Sequence, residues 1–168
     1  TSGNCTSGEY GDPYDVMGGS SKYHVNNFHK GRLIVLDSFN TYDVTADGTY
    51  SIAPMESVSS GIQALRIPRE YDLNGNVTKY FYLEFRQPYG TYFDNFSSTS
   101  YAVNGVGVRL APPYSTLVQP QLIDTTPETT SFTDAPLAVG KVLNDPVSGI
   151  QITTKSVSSS GAEVEVQL

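Results

Sequence analysis

The chain has 168 residues and a formal net charge of −7. That length is enough for one sizeable hydrophobic core but argues against a second full domain. The acidic balance lacks the basic footprint that nucleic acid or an anionic membrane would require, so no nucleic-acid partner is expected. The longest apolar run, Leu33-Ile34-Val35-Leu36, is far short of the roughly 20 residues of a membrane span. Twelve Tyr, no Trp and few Lys among many Ser, Thr, Asn and Gly suit a secreted, extracellular β-protein.

Taken in chain order, residues 1–22 are rich in Gly, Ser, Tyr and Asp without periodicity and read as an irregular, turn-dense segment. A short helix is predicted from His24 to about Lys30, with Val25 and Phe28 on a thin apolar face and Gly31 as its end signal. Leu33 to Leu36 then reads as a buried strand or connector. From Asp37 onward the pattern becomes period-two. Strands are predicted over 48–54, with Tyr50 and Ile52 on one face, and over 61–67, and Asn74-Gly75 signals a type I′ turn. The clearest strand runs from Thr78 to Arg86: Phe81, Leu83 and Phe85 point one way, and Tyr80, Tyr82, Glu84 and Arg86 the other. Val106, Val108 and Leu110 line a further strand that Pro112-Pro113 stops. Leu137 to Val139, Ile150 with Ile152, and Val164 to Leu168 complete the strands, and Ser156 to Gly161 forms a hairpin tip. About seven short strands between turn clusters, and no helix of ordinary length after residue 37, predict a mainly β chain, an antiparallel β-sandwich.

Candidate chemistry is sparse. His24 and His29 are five apart, which on a helix turns their rings some 140° away from each other (about 100° per residue) and on a strand places them on opposite faces. They do not make a zinc pair, and no metal ligand is assigned. No nucleophile elbow, phosphate loop or dinucleotide fingerprint occurs, and no catalytic residue is assigned. The lone Cys5 reads either as one half of a disulfide to a partner outside the chain or as a free buried thiol. Sequons stand at Asn4, Asn76 and Asn95. Asp72, in an oxygen-rich turn of a kind that can hold calcium, lacks the acidic positions of an EF-hand and reads as a side chain capping its own turn; Asp124, Asp134 and Asp145 read the same way. Glu84 and Arg86 read as an exposed charged face, with burial against a partner as the alternative. Tyr80, Tyr82 and Tyr92 offer rings that can stack on sugars.

The stretch Glu9-Tyr10-Gly11-Asp12-Pro13-Tyr14-Asp15-Val16-Met17-Gly18-Gly19 resembles the methionine turn of secreted zinc metallopeptidases of the metzincin clan, and of the gametolysin-like family in particular. The later segments Tyr80 to Pro88, Asp134 to Leu137 and Gly161 to Val166 are similar, in order, to strands downstream in such proteases and in immune-inhibitor-like relatives. In this family a zinc-binding H-E-x-x-H-x-x-G-x-x-H helix precedes the turn, yet only sixteen residues precede Met17 here and the motif is absent. Ile34-Val35 stands where the family has Gly-Trp, and Gly19 where some metzincins have Tyr. The resemblance implies that residues 1–37 are the rear of a catalytic domain and 38–168 a β-sandwich domain. It implies that Met17 is an apolar floor beneath zinc-binding imidazoles. It also implies that an N-terminal catalytic segment outside this chain supplies the zinc and acts on a protein or peptide substrate. The chain alone is then expected to be inactive. The competing expectation is a free-standing extracellular β-sandwich used for adhesion or carbohydrate binding.

Overall fold

The structure is a computed structural model and describes residues 7–19, 22–116 and 118–168; Cys5 and the Asn4 sequon lie outside the described residues. Among the described residues ten strands form two sheets. In chain order the elements are α1 (Asn27–Arg32), β1 (Thr41–Asp43), β2 (Gly48–Ile52), β3 (Ala64–Tyr71), β4 (Val77–Glu84), α2 (Tyr101–Asn104), β5 (Gly105–Ala111), β6 (Gln121–Leu122), a 3₁₀ turn (Phe132–Asp134), β7 (Leu137–Ala138), β8 (Val142–Asn144), β9 (Gln151–Ser158) and β10 (Gly161–Gln167). The first sheet has the order β1-β3-β4-β5-β6, with β7 also on β5, and the second the order β2-β10-β9-β8.

The mainly β character expected from the periodicity is what the structure has, with the two sheets facing one another across a core. Ile52, Val164, Val166 and Ile152 come from one sheet and Leu65, Ile67, Phe81, Leu83, Val106 and Val108 from the other. Burying side chains of this size contributes about 1.5–3 kcal/mol each, which makes this layer the main stabilising contact of the chain. The register of β4 is as expected, with Phe81, Leu83 and Phe85 all turned into this core.

Five local expectations are corrected. The sandwich is not wholly antiparallel, because β1 runs parallel to β3, pairing Thr41 with Ala64 and Asp43 with Arg66. That register places Asp43 beside Arg66, which grips it through Nε at 2.5 Å and Nη2 at 2.7 Å. β1 ends opposite Arg66, so Pro68 sits where β3 has no neighbour on that side and its missing N–H costs nothing. The Asn74-Gly75 turn is not type I′, which would need positive φ at both central residues. The Asp72 carbonyl accepts from Gly75 N–H, and Gly75 alone in the turn has a positive φ, +83°. Asp72 caps this turn, accepting from the N–H groups of Asn74 and Asn76 at 2.8 and 2.9 Å.

The helix starts at Asn27 rather than His24, because Asn26 Oδ1 accepts from His29 N–H as an N-cap. Gly31 lies inside the helix instead of ending it. A Cβ there would meet the Tyr114 ring 2.2 Å away, so the glycine permits a close approach rather than marking a stop. Finally, Leu33 to Leu36 is the connector rather than the strand of the two expected forms, and it is not buried throughout. Val35 N–H and Ile34 N–H return to the carbonyls of Lys30 and Gly31, a Schellman-type closure with Ile34 at φ +59° in the position where glycine is usual. Leu36 is buried, but Leu33, Ile34 and Val35 are exposed.

Candidate functional site

The outer face of the first sheet carries the chemistry. The sequence pattern leaves Tyr82, Glu84 and Arg86 on the side of β4 away from the core, and Arg109 occupies the matching face of β5. All four are buried. The expected exposed Glu84–Arg86 face is therefore corrected. Residues 7–19 and 22–36 fold across this side, and the loop after β4 closes one end of it. Phe28, fully buried, meets the Tyr82 ring edge-on at 5.3 Å, and Tyr114 packs against both.

Beside this aromatic contact lies a network of charges. Arg109 donates to Asp12 Oδ2 from Nε at 2.9 Å and Nη2 at 2.7 Å. Its Nη1 lies 2.5 Å from Glu84 Oε1 as an ion pair, although off the direction of a hydrogen bond. Glu84 Oε1 accepts from Arg86 Nε at 3.0 Å and Oε2 from Asn27 N–H at 2.9 Å. Arg86 continues to Asp94 Oδ1 at 3.4 Å and to the His24 carbonyl at 3.1 Å. Burial alone would raise the Glu84 pKa, but the Arg109 and Arg86 guanidiniums outweigh it and hold the carboxyl at about 2.

The Met17 turn is tied to the same network. Asp12 accepts from Tyr14 N–H at 2.9 Å, and Gly19 N–H returns to the Asp12 carbonyl at 2.7 Å. Gly18 is required there, since a Cβ would come 2.2 Å from that carbonyl oxygen. Asp15 is buried, accepting from Asn26 Nδ2 and from Met17 N–H and facing His29 Nε2 at 3.6 Å. Burial pushes the Asp15 carboxyl up and the His29 imidazole down, moving both toward their neutral forms. Met17 itself is 56% exposed. The role implied for it would require further residues over the turn.

His24 lies before the helix, so the helical spacing expected for it and His29 does not apply, and the two pair with different carboxylates, Asp94 and Asp15. His24 Nδ1 pairs with Asp94 Oδ2 and its backbone N–H donates to Asp94 Oδ1 at 3.1 Å. Asp94 is fully buried, with a φ of +48°. Among the described residues no group of three or more His, Cys, Asp or Glu side chains is placed to hold a metal ion. Of the rings expected to stack on sugars, Tyr82 is buried and Tyr80 lies under the Arg66 guanidinium at 4.9 Å, whereas Tyr92 is exposed. Comparisons with family models, curated proteins and solved structures return no match. Among the described residues no helix is long and apolar enough to cross a membrane.

Sequence reasoning missed Arg109 and Glu56. An Arg within Val106-Gly-Val-Arg-Leu110 breaks no alternation, and its partner Asp12 lies 97 residues away. Glu56 is buried, with Oε2 accepting from Gln87 N–H at 3.1 Å, Oε1 lacking a hydrogen bond and Arg86 4.0 Å off. Burial pushes its pKa up to about 7 against the pull of Arg86. An acid whose pKa is higher folded than unfolded binds more protons when folded, so its contribution to stability is lost as pH rises from the unfolded value, about 4.5, through 7. Glu56→Gln is therefore expected to gain about 3 kcal/mol over the parent at pH 8 and nothing at pH 4. Urea unfolding of both proteins across that range checks it; parallel stability–pH curves would contradict it.

Proposed function

We propose that this chain is the C-terminal portion of a secreted zinc-dependent endopeptidase, carrying the turn that underlies the metal but not the metal ligands. The observation that supports this reading is the construction of the Asp12–Gly19 turn. Its base is clamped by Arg109 and by buried Asp15, while Val16 and Met17 stand at the surface. A turn that presents an exposed methionine, near a helix after which Leu33, Ile34 and Val35 are also exposed, suits a face onto which further polypeptide packs. Zinc held by that polypeptide would activate water and polarise the scissile carbonyl; residues 7–36 would bind and position it.

The test is made on two proteins. The 168-residue chain is expected to hold no stoichiometric zinc and to leave casein intact. A longer protein from the same reading frame is expected to hold one zinc and to cleave casein, with loss of activity on chelation. In that longer protein Met17→Ala is expected to weaken zinc retention while the isolated chain's stability hardly changes, because an exposed side chain contributes little to folding. A longer protein without zinc or proteolysis, or a Met17→Ala variant with unaltered zinc retention, refutes the reading.

A further inference from the structure

The segment Gln87 to Ser100 displays three large aromatic side chains within five residues: Tyr89, Tyr92 and Phe93 are 59%, 67% and 52% exposed. Exposed rings at such density do not serve the core and need another explanation. The loop that carries them is closed at its base. Tyr89 N–H donates to the Asp94 carbonyl at 3.2 Å, Asp94 N–H to the Lys22 carbonyl at 2.9 Å, and Asn95 Nδ2 to the Thr91 carbonyl at 3.1 Å. Tyr92 and Phe93 brace each other edge-to-face at 4.9 Å. Beside them stands His24, 6.3 Å from the Tyr89 ring and 6.5 Å from Phe93, centroid to centroid. Its side chain is 37% exposed, and because Asp94 takes Nδ1, Nε2 is the nitrogen left for a ligand. Asp94, which fixes both the loop and the imidazole, is the one buried residue among the three non-glycine residues with positive φ. Strain of this kind is retained where surrounding structure insists on it, and it concentrates at binding sites.

The chemistry around the rings narrows the ligand. From Gln87 to Ser100 the only charged residue is Asp94, which is buried, so the loop offers an ionic ligand no countercharge. Thr91, Asn95, Ser97 and Ser98 are exposed and supply both donors and acceptors. Flat apolar rings with neutral hydroxyl and amide neighbours and one oriented imidazole match a ligand that is apolar on its face and hydroxylated at its rim. A lipid tail or an apolar peptide has no use for that polar surround. We infer that the Tyr89–Phe93 loop with His24 is a binding site for the pyranose rings of a neutral polysaccharide. This inference does not depend on the protease reading.

Affinity electrophoresis of the 168-residue chain through gels containing mannan, β-1,3-glucan or arabinoxylan tests it, with neutral phosphatidylcholine vesicles as a parallel probe. The chain is expected to be retarded by at least one polysaccharide. The Tyr92→Ala/Phe93→Ala variant is expected to lose about tenfold in affinity, the loss of two ring contacts of ordinary strength. Tyr71→Ala, at an exposed ring elsewhere on the chain, is expected to bind as the parent does. Because the substituted rings are exposed, thermal unfolding verifies that each variant is folded. Absence of retardation on all three gels, retardation indifferent to the double substitution, or binding to vesicles alone would overturn the inference.

Discussion

Arg109→Leu is expected to destabilise the chain by about 3–5 kcal/mol, the usual consequence of removing one partner from a buried ion pair. Arg109 is 1% exposed and bridges Asp12, 97 residues away, to Glu84 on the neighbouring strand. Without it Glu84 loses one of its two guanidinium countercharges and Asp12 loses both guanidinium hydrogen bonds. For a domain whose whole stability is about 5–15 kcal/mol, a large part of the folded margin would go. Arg109→Lys is expected to recover only part of the loss, because one ammonium cannot reach two carboxylates with the fixed fork of a guanidinium. The network predicts a pH signature as well. Glu84 has a folded pKa of about 2, below its unfolded value, so its contribution is complete above about pH 4.5 and is lost as pH falls toward 2. In Arg109→Leu that pKa climbs and the acid-side loss shrinks, so the gap between parent and variant should narrow on acidification. Urea denaturation at pH 7 and pH 3 measures both effects. A cost below 1 kcal/mol at pH 7 would show that the Asp12–Gly19 turn is held by something else.

Phe28→Ala is expected to cost a similar amount, about 3–5 kcal/mol, for a different reason. Phe28 is fully buried and is wedged between Tyr82 and Tyr114, at 5.3 and 5.7 Å. Truncation removes its transfer free energy and opens a void that Gly31 is too small to fill. It should also loosen α1 from the sheet, so proteolysis within residues 22–36 is expected to accelerate more than global unfolding accounts for. Phe39→Ala removes the same side chain from a position 79% exposed and is expected to change stability by no more than about 0.5 kcal/mol. Equal costs for the two substitutions would mean that residues 22–36 do not pack on β4 as described.

These two residues also show what could and could not be read in advance. Phe28 was legible as the apolar side of a short helix, since a spacing of three to four residues is visible in any window. Its partner Tyr114 was not, and so Gly31, whose missing Cβ admits that ring, looked like a stop signal. On β4 the apolar row Phe81, Leu83 and Phe85 announced itself by alternation. The polar row opposite looked like an ordinary exposed face, because alternation distinguishes the two sides of a strand but carries no information about what covers the second side.

The sequence by itself determined that the chain is mainly β and which rows of β4, β5, β9 and β10 face the core, because each of these depends on spacing along one strand. The tertiary structure alone decided that Glu84, Arg86 and Arg109 are buried together, that β1 runs parallel to β3, and that His24 meets Asp94. Those arrangements join Asp43 to Arg66, Glu84 to Arg109 and His24 to Asp94, which are 23, 25 and 70 positions apart, and a charge reveals its counterion only when the fold has removed both from water.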